Sequence, residues 1–384
     1  MRILIDYRPA LRQRTGVGEF VHNLIVSLAG MDNVNTSSLE LTPNITAFSA
    51  SWNDRLSESP SYPLPPSVRL IDKRIPVILL NLAWHRFQWP PVEDLTQDSY
   101  EVVHSPHPLL IPSRSAAQVI TIHDLDFFTN TSRTSAEIQR DYSRLVQQHA
   151  SRADHIVVPS KYTASQVAQL LHIPPESITI CPNGSPDWTP RRETPKDGHL
   201  LFVGELTERK NIAGLLNAYE ILLTKSTAIP DLVLVGKQST TSPWQARLRK
   251  SPLAERVRCT GYVDRLRLEE LYRNASALLI PSFDEGFGIP ALEAMAIGVP
   301  VVAVKRGALP EVVGNAGLLV DPNNDQMFAD AILRILNDHQ LVKQCCENGI
   351  TRAKTFSWNQ SATTLLAAYR KAVASRSSKG LPSE

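Results

Sequence analysis

The stretch PSFDEGFGIPALEAMAIGVPVVAV, residues 281–304, contains a glycine-rich turn, a helical segment and a strand-like segment in succession. Pro290 suits the first position of a helix, where its missing N–H costs nothing, and ALEAMA (291–296) consists of strong helix formers. This pattern predicts that Glu285 lies in the loop before the helix and that Glu293 lies in its first turn. A helix that leads into an apolar run such as VPVVAV (299–304) is typical of a parallel sheet.

The rest of the chain repeats this alternation in two series, separated by the Pro-rich segment PNGSPDWTPRRETPKDG (182–198). The first series of strand-like runs is RILID (2–6), EVVHS (101–105), AQVITIHD (117–124), DHIVVPS (154–160) and SITICPN (177–183), and the second is HLLFVG (199–204), DLVLVG (231–236), RVRCTG (256–261), SALLIPS (276–282) and VPVVAV. We therefore predict an α/β protein with two parallel-sheet domains. The predicted parts are a first domain at 1–185, a linker at 186–198, a second domain at 199–360, and a C-terminal helix and tail at 361–384 that can cross back to the first domain.

Composition excludes several classes of protein. A length of 384 residues with 42% hydrophobic residues suits two domains with full-sized cores. The net charge of +2 provides no overall basic field for nucleic-acid binding. The four cysteines lack metal-ligand spacing and indicate reduced thiols. The start MRILIDYRPA is typical of a first strand, not of a signal peptide, and no window has the roughly 18 apolar residues of a membrane span. We expect a cytoplasmic protein.

The residues around the opening motif suit a sugar nucleotide. Ligands of open parallel sheets bind at the carboxyl ends of strands, so we expect a cleft between the domains to be the site. Free N–H groups at Phe287, Gly288 and Ile289 would bind a diphosphate at the positive end of the helix dipole. The two carboxylates would then accept hydrogen bonds from sugar hydroxyls. The alternative is that Glu293 only stabilises the helix terminus while Glu285 caps a turn.

Several segments together resemble the retaining nucleotide-sugar glycosyltransferases of family four. Two glutamates separated by seven residues, in EGFGIPALEAMAIGVPVV (285–302), are the most specific motif. The resemblance also rests on RTGVGEF (14–20), HSPHPLLIP (104–112), TIHDL (121–125), VVPSKYTASQV (157–167), CPNG (181–184), FVGELTERKN (202–211) and GNAGLLVDP (314–322). It implies the GT-B fold, in which two Rossmann-like domains with parallel sheets face each other across a cleft.

In the second domain, the resemblance implies that Glu285 contacts hydroxyls of the donor sugar and Glu293 the ribose diol. Many members have an arginine directly after the glycine that corresponds to Gly204, and a lysine five residues later. This chain keeps that lysine as Lys210, but Glu205 replaces the arginine. We expect Arg209 to contact the diphosphate instead, beside Lys210. The nucleotide base would lie against the loop of Tyr262 and Val263.

In the first domain, the resemblance places Gly16 and Gly18 in the turn after the first strand, over the donor phosphates. Read alone, this GxG lacks the third glycine of a dinucleotide fingerprint. His123 would face the reacting sugar, with Asp124 beside it, although a lone histidine after a strand is more often structural. We expect Arg209, Lys210 and the end of the helix at Gly288 to stabilise the leaving diphosphate. Asp124 and Glu285 are candidate nucleophiles by charge, but the resemblance implies front-face substitution, in which the diphosphate helps to deprotonate the acceptor.

The leading functional prediction is transfer of a hexose from a nucleotide sugar to a saccharide or lipid-linked saccharide. Mannose from GDP-mannose is preferred, because TGVGEF, TIHDL and ERKN resemble the O-antigen mannosyltransferase branch of the family. The alternatives are a UDP-sugar-dependent glucosyl or N-acetylglucosaminyl transferase, a nucleotide-sugar epimerase and a silent sugar-nucleotide sensor. We expect no cofactor and no metal, because His104 and His107 have no third ligand. We expect no nucleic-acid partner.

Two further segments relate to the acceptor. VRLIDKRIPVILLNLAWHRFQWPP (68–91) combines cations and aromatic residues with an apolar run, as in proteins that bind the surface of an anionic bilayer. The alternative is a helix that packs on the first sheet with its cations extended into water. The basic segment SRTSAEIQRDYSRLVQQHASR (132–152) is expected to border the acceptor site. A lipid-linked acceptor would imply peripheral contact with the inner face of the cell membrane.

Overall fold

The structure is a computed structural model that describes residues 1–11, 16–31, 43–52, 54, 63–129, 136–238 and 243–379. The chain divides into two compact units. Unit 1 comprises Met1–Gly184 and Ser357–Glu384, and unit 2 comprises Ser185–Phe356.

Unit 1 contains a seven-stranded parallel sheet in the order β3-β2-β1-β4-β5-β6-β7. Its strands are β1 (Arg2–Asp6), β2 (Asn44–Ala50), β3 (Arg69–Lys73), β4 (Val102–Ser105), β5 (Ala117–Thr121), β6 (His155–Val158) and β7 (Ile178–Ile180). Its helices are α1 (Gly16–Gly30), α2 (Val77–Leu82), α3 (Val92–Thr96), α4 (Asp126–Thr129), α5 (Ala136–Arg152), α6 (Lys161–Leu170) and α14 (Trp358–Lys379), and α2 continues into a π-helix at Ala83–Phe87.

Both faces of this sheet are covered by helices. Ile3 and Ile5 of β1 pack in one core with residues of α1 and α14. Leu4, between them, packs in a second core that includes Trp84. Because successive side chains of a strand point to opposite faces, a strand buried on both faces reads as a continuous apolar run. This explains why RILID is apolar without alternation.

Unit 2 contains a six-stranded parallel sheet in the order β10-β9-β8-β11-β12-β13. Its strands are β8 (His199–Val203), β9 (Leu232–Val235), β10 (Val257–Gly261), β11 (Ala275–Ile280), β12 (Val301–Val304) and β13 (Gly317–Val320). Its helices are α7 (Ile212–Lys225), α8 (Leu253–Arg256), α9 (Arg265–Arg273), α10 (Ile289–Ile297), α11 (Leu309–Val313), α12 (Asp325–Asn337) and α13 (His339–Ala353).

The prediction of an α/β protein with two parallel sheets is confirmed. Two strands of unit 1, β2 and β3, were not predicted. Strand β3 corresponds to the start of the segment that we had read as a helix or a bilayer-binding run. It is one of the two edge strands of the sheet, and its residues are exposed or only partly buried, so its sequence lacks the apolar run of an inner strand.

Three details of the predicted helix starts are wrong. Gly16 and Gly18 lie in the first turn of α1, not in the turn before it. Pro290 is the second residue of α10, and Glu293 lies in the second turn rather than the first. Arg14 and Thr15 of RTGVGEF, like residues 132–135 of the basic segment, lie outside the described residues.

In each sheet the strand order reverses at one point, between β1 and β4 in unit 1 and between β8 and β11 in unit 2. The connections leave the sheet in opposite directions there, so a crevice forms at the carboxyl ends of those two strands. Among the described residues, no helix is long and apolar enough to cross a membrane.

Candidate active site

The loop after β8 and the loop after β11 are tied together at the crevice of unit 2. Asn211 caps the start of α7 and donates from Nδ2 to the carbonyl of Pro281 at 3.2 Å. The N–H of Phe283 donates to the carbonyl of Arg209 at 2.9 Å, and the Arg209 guanidinium donates to the carbonyl of Asp284 at 3.1 Å. These contacts place Arg209 and Lys210 beside Glu285, so the loop that contains ELTERKN and the loop that contains DEGFG meet in the structure.

Lys210 and Glu285 form a buried ion pair. Lys210 Nζ lies 2.5 Å from Glu285 Oε1, and only 11% and 8% of the two side chains are exposed. Burial by itself would raise the pKa of Glu285, but the positive charges of Lys210 and Arg209 and a hydrogen bond from Lys210 lower it overall. Glu285 is therefore held as a carboxylate, and Lys210 supplies a positive charge at the carboxyl edge of the sheet.

A third loop, after β12, supports the backbone of Glu285. The N–H of Ala308 donates to the carbonyl of Glu285 at 2.8 Å. Gly307 has a φ of +59°, and a Cβ there would lie 2.5 Å from that carbonyl oxygen. Because any larger residue would collide with the backbone of Glu285, this glycine allows the loops after β11 and β12 to touch.

Glu293 is positioned by a residue that sequence reasoning missed. Tyr272 of α9 is fully buried, and its hydroxyl donates to Glu293 Oε2 at 2.9 Å. Burial, and then the charge of Glu293, raise the pKa of Tyr272 well above its usual value, so the hydroxyl remains a donor. Arg265 Nη1 lies 3.8 Å from Glu293 Oε1, and its guanidinium lies over the ring of Trp188 at 4.8 Å. Nothing in the sequence near Glu293 points to these partners.

Replacing Tyr272 by Phe should weaken nucleotide binding more than it slows transfer. The change removes the hydroxyl that donates to Glu293 Oε2, so the carboxylate is less well oriented toward a ribose. We expect KM for the donor to rise about 5- to 20-fold with kcat nearly unchanged, measured by steady-state kinetics. Tyr219→Phe, which removes a buried hydroxyl that donates to the carbonyl of Pro230 outside the proposed site, is the matched control. An unchanged KM in Tyr272→Phe would contradict the positioning role.

The start of α10 presents the backbone predicted to bind phosphate. Gly288 caps the helix with a φ of +99°, and a Cβ there would lie 2.8 Å from a methyl group of Leu309. Phe287 is buried and packs edge to face on Phe356 at 5.7 Å between ring centroids. Ile289 is the first residue of the helix, so the N–H groups of this turn lack partners within the helix.

The remaining predicted residues of unit 2 lie at the ends of neighbouring strands. Gly204 follows β8 with a φ of +151°, a conformation that favours glycine. Glu205 beside it is exposed. Tyr262 and Val263 follow β10 and precede the capping residue of α9, and 43% of Tyr262 is exposed.

The crevice of unit 1 contains an ion-pair cluster that sequence reasoning did not single out. Arg8 donates to Asp6 from Nε at 2.9 Å and from Nη2 at 2.7 Å, and His107 Nε2 lies 3.4 Å from the same carboxylate. Burial would raise the pKa of Asp6, but Arg8 and His107 lower it far below its usual value. Arg8 also donates to Asn81 and lies over the ring of Trp84 at 4.9 Å. An arginine two residues after an aspartate that ends a strand is the signal that could have revealed it.

His123 follows β5 and is neutral at pH 7. Its Nε2 donates to the carbonyl of Pro106 at 3.1 Å, and its ring packs edge to face on Phe20. Burial lowers the pKa of His123 to about 4, against the raising effect of Asp124 and of that hydrogen bond. Nδ1 is therefore the ring atom that can accept a hydrogen bond from a ligand. Asp124 Oδ1 accepts from the N–H of Asp126 at 3.3 Å.

His104 belongs to the core of unit 1. It is fully buried, with Nδ1 2.8 Å from the Tyr369 hydroxyl and Nε2 2.8 Å from Thr121 Oγ1. Both ring nitrogens thus have partners within the fold. Among the described residues, no group of three or more His, Cys, Asp or Glu side chains could hold a metal ion.

Comparison with known proteins gives matches in both units. A family model described as "Glycosyltransferase Family 4" matches residues 16–186, and one described as "Glycosyl transferases group 1" matches residues 188–352. Over 283 residues the chain is 32% identical to O-antigen chain mannosyltransferase B of Escherichia coli, covering 70% of this chain and 74% of the relative. It is 29% identical to a D-inositol 3-phosphate glycosyltransferase of Corynebacterium efficiens, covering 69% of this chain and 68% of the relative.

Solved structures resemble the whole chain. Sucrose-phosphate synthase from Thermosynechococcus elongatus superposes with a TM-score of 0.77 at 22% identity, covering 97% of this chain and 99% of the other. WaaG, a glycosyltransferase involved in lipopolysaccharide biosynthesis, superposes with a TM-score of 0.70 at 17% identity, covering 96% and 98%. At these identities the likeness shows a shared fold.

Proposed function

Because this chain is a hexosyltransferase of glycosyltransferase family 4 with the GT-B fold, we propose that it transfers mannose, with retention, from GDP-mannose to a saccharide or lipid-linked saccharide. A nucleotide-sugar donor and a glycan acceptor are implied by the family. The observation that carries the proposal is the buried pair of Lys210 and Glu285 at the crevice between β8 and β11.

The proposed donor site uses cations and carboxylates for different parts of one molecule. Lys210, Arg209 and the backbone N–H groups at Phe287, Gly288 and Ile289 bind the diphosphate, whose negative charge they neutralise. Glu285 accepts hydrogen bonds from hydroxyls of the hexose, and Glu293 accepts them from the ribose diol. Gly204, Tyr262 and Val263 lie against the rest of the nucleotide.

Charge stabilisation drives the proposed reaction. The bond between the anomeric carbon and the diphosphate oxygen breaks, and the departing oxygen keeps the electron pair. Arg209, Lys210 and the start of α10 stabilise that charge, which is greater in the transition state than in the bound donor. The acceptor oxygen attacks the same face of the sugar, and its proton passes to the leaving phosphate oxygen.

The proposed role of unit 1 is to orient the acceptor and the sugar. His123 Nδ1 accepts a hydrogen bond from a sugar hydroxyl near the anomeric carbon, and Asp124 lies beside it in the same loop. Gly16 and Gly18 form the first turn of α1, where the backbone can approach the donor phosphates. A Cβ at Gly18 would lie 2.8 Å from the carbonyl oxygen of Pro9, so this turn packs closely on the residues after β1.

Mannose is preferred because the E. coli relative at 32% identity is a mannosyltransferase by name. An MMP alpha-(1->4)-mannosyltransferase of Mycolicibacterium hassiacum, 29% identical over 231 residues, has a similar name. A UDP-sugar donor for the same fold is the second candidate, since the residues around Tyr262 that would contact the base do not specify guanine.

Nucleotide sugars should stabilise the purified protein against heat. A ligand that binds only the folded state at about 100 times its dissociation constant adds about 2.7 kcal/mol. We expect a rise in Tm of several degrees with GDP and GDP-mannose and almost none with UDP, ADP or TDP, measured by differential scanning fluorimetry. Selective stabilisation by a UDP sugar would identify that sugar nucleotide, and not GDP-mannose, as the donor. If no nucleotide sugar stabilised the protein, the proposed transferase site would be contradicted.

A further inference from the structure

One surface of unit 1 carries half of the exposed large hydrophobic side chains of the described residues. Ten such side chains are exposed, and six of them lie between residues 70 and 89. Leu70 pairs with Ala47 of the core that contains α1, so it points to the face of the sheet opposite α2. We call the other five the 70–89 surface: Ile78, Leu79, Leu82, Phe87 and Trp89. Ile78, Phe87 and Trp89 are 82%, 68% and 66% exposed. Contiguous apolar area of this kind marks a site of interaction with a protein or a membrane.

The helical part of this surface is apolar on two opposite sides. Leu80 and Trp84, spaced by four residues, are buried in the core with Leu4. Ile78 and Leu82 have the same spacing and lie on the other side, with Leu79 next to them, exposed. The helix therefore packs on the first sheet, as one of the two predictions had it, but only through the side that contains Leu80 and Trp84. The other side requires a different explanation.

The charges around this surface are positive. Arg74 and Arg86 are exposed, and neither forms an ion pair within the described part of the chain. Arg69 pairs with Asp98, while Asp94 pairs with Arg114, so these nearby acidic groups are already occupied by other cations. An apolar face bordered by exposed arginines and by Phe87 and Trp89 has the composition of a segment that inserts into the interface of an anionic bilayer.

A second copy of this chain fits the surface less well. Dimers commonly use the same surface on both subunits. Such an arrangement would bring the arginines at the edges of the 70–89 surface close to those of the partner, and like charges in an interface are unfavourable. An anionic lipid surface supplies the opposite charge together with an apolar interior.

We propose that the 70–89 surface docks unit 1 on an anionic lipid bilayer. Ile78, Leu79, Leu82, Phe87 and Trp89 enter the boundary between headgroups and acyl chains, while Arg74 and Arg86 contact lipid phosphates. This inference does not depend on the identity of the donor. It concerns where the enzyme meets its acceptor, and it can be tested without any transfer reaction.

Co-sedimentation of the full chain with vesicles tests the proposal. Vesicles of phosphatidylcholine mixed with phosphatidylglycerol should bind the protein, and those of phosphatidylcholine alone should bind it much less. Ile78→Gln/Leu79→Gln/Leu82→Gln should weaken binding at least about tenfold because it removes inserted apolar area. Arg74→Gln/Arg86→Gln should weaken it about fivefold for each arginine and reduce its salt dependence. Leu266→Gln/Met327→Gln, which alters exposed apolar residues of unit 2, is the matched control.

Each result decides for or against the bilayer. Binding to anionic vesicles that the apolar and arginine variants lose and the control keeps would support it. No binding by the unaltered protein, or equal loss in the control, would overturn it. A dimer that disappears in the apolar variant, seen by light scattering in the absence of vesicle binding, would assign the surface to a second copy instead. Thermal unfolding and nucleotide binding of the variants establish that they are folded.

Discussion

Glu285→Gln is expected to reduce kcat/KM for hexosyl transfer by about three orders of magnitude or more while the protein stays folded. The carboxylate is buried, it is held ionised by Lys210, and it would accept hydrogen bonds from the donor sugar. The amide is neutral, so it neither balances the charge of Lys210 nor accepts with both terminal atoms. Loss of one well-placed polar group in a dry site costs about 10²–10³ in kcat, and loss of the charge adds to this.

The glutamine retains an oxygen that can accept from Lys210, so we expect only about 1–3 kcal/mol of destabilisation. Steady-state kinetics with GDP-mannose and thermal unfolding separate the two effects. Glu205→Gln, at an exposed position in the loop after β8, should leave both nearly unchanged. Full activity in Glu285→Gln would refute the proposed role of the carboxylate, whatever the identity of the donor.

Gly236→Ala should destabilise unit 2 by about 3 kcal/mol or more and strongly reduce donor binding. Gly236 follows β9 with a φ of +139°, and a Cβ there would lie 1.9 Å from the carbonyl oxygen of Gly204. That oxygen belongs to backbone at the end of β8, so a collision cannot be relieved by a side-chain rotation. The ends of β8 and β9 would have to separate, and the loop that carries Lys210 would move with them.

Urea unfolding followed by circular dichroism measures the change in stability, and the thermal shift with GDP-mannose measures donor binding. Gly30→Ala is the control, because Gly30 ends α1 and a Cβ there would meet no atom within 4 Å. We expect it to be neutral or slightly stabilising, since alanine restricts the unfolded chain. An unfolding midpoint for Gly236→Ala equal to that of the unaltered protein would show that the two strand ends can separate at no cost.

Much of the fold was predictable because the signals are local. Apolar runs such as HLLFV and LVLV identify buried strands whatever lies elsewhere in the chain, and Gly-rich turns mark their ends. Strand β3 was missed because an exposed edge strand has no such run. Glu293 lies one residue further into α10 than predicted, because the helix begins at Ile289, directly after its capping residue Gly288, and not at Pro290.

The proposed site was predictable in part. Glu285, Glu293 and Lys210 were named from short motifs, and the structure brings Lys210 into contact with Glu285. Tyr272 and Arg265 were not named, because their relation to Glu293 depends on how α9 lies against α10. The same limit applies to Arg8 and His107, which meet at Asp6 from the ends of two different strands.

The sequence by itself determined most of the elements, the two parallel sheets and the identity of the motif residues, since these depend on side chains within a few positions of one another. The tertiary structure decided which residues meet. Lys210 and Glu285 are 75 residues apart in the chain, and they touch because β8 and β11 are neighbours at the point where the strand order reverses. It also decided which side of α2 is buried, because only packing against the sheet distinguishes Leu80 from Ile78. Both outcomes depend on strand order and packing, which no local pattern encodes.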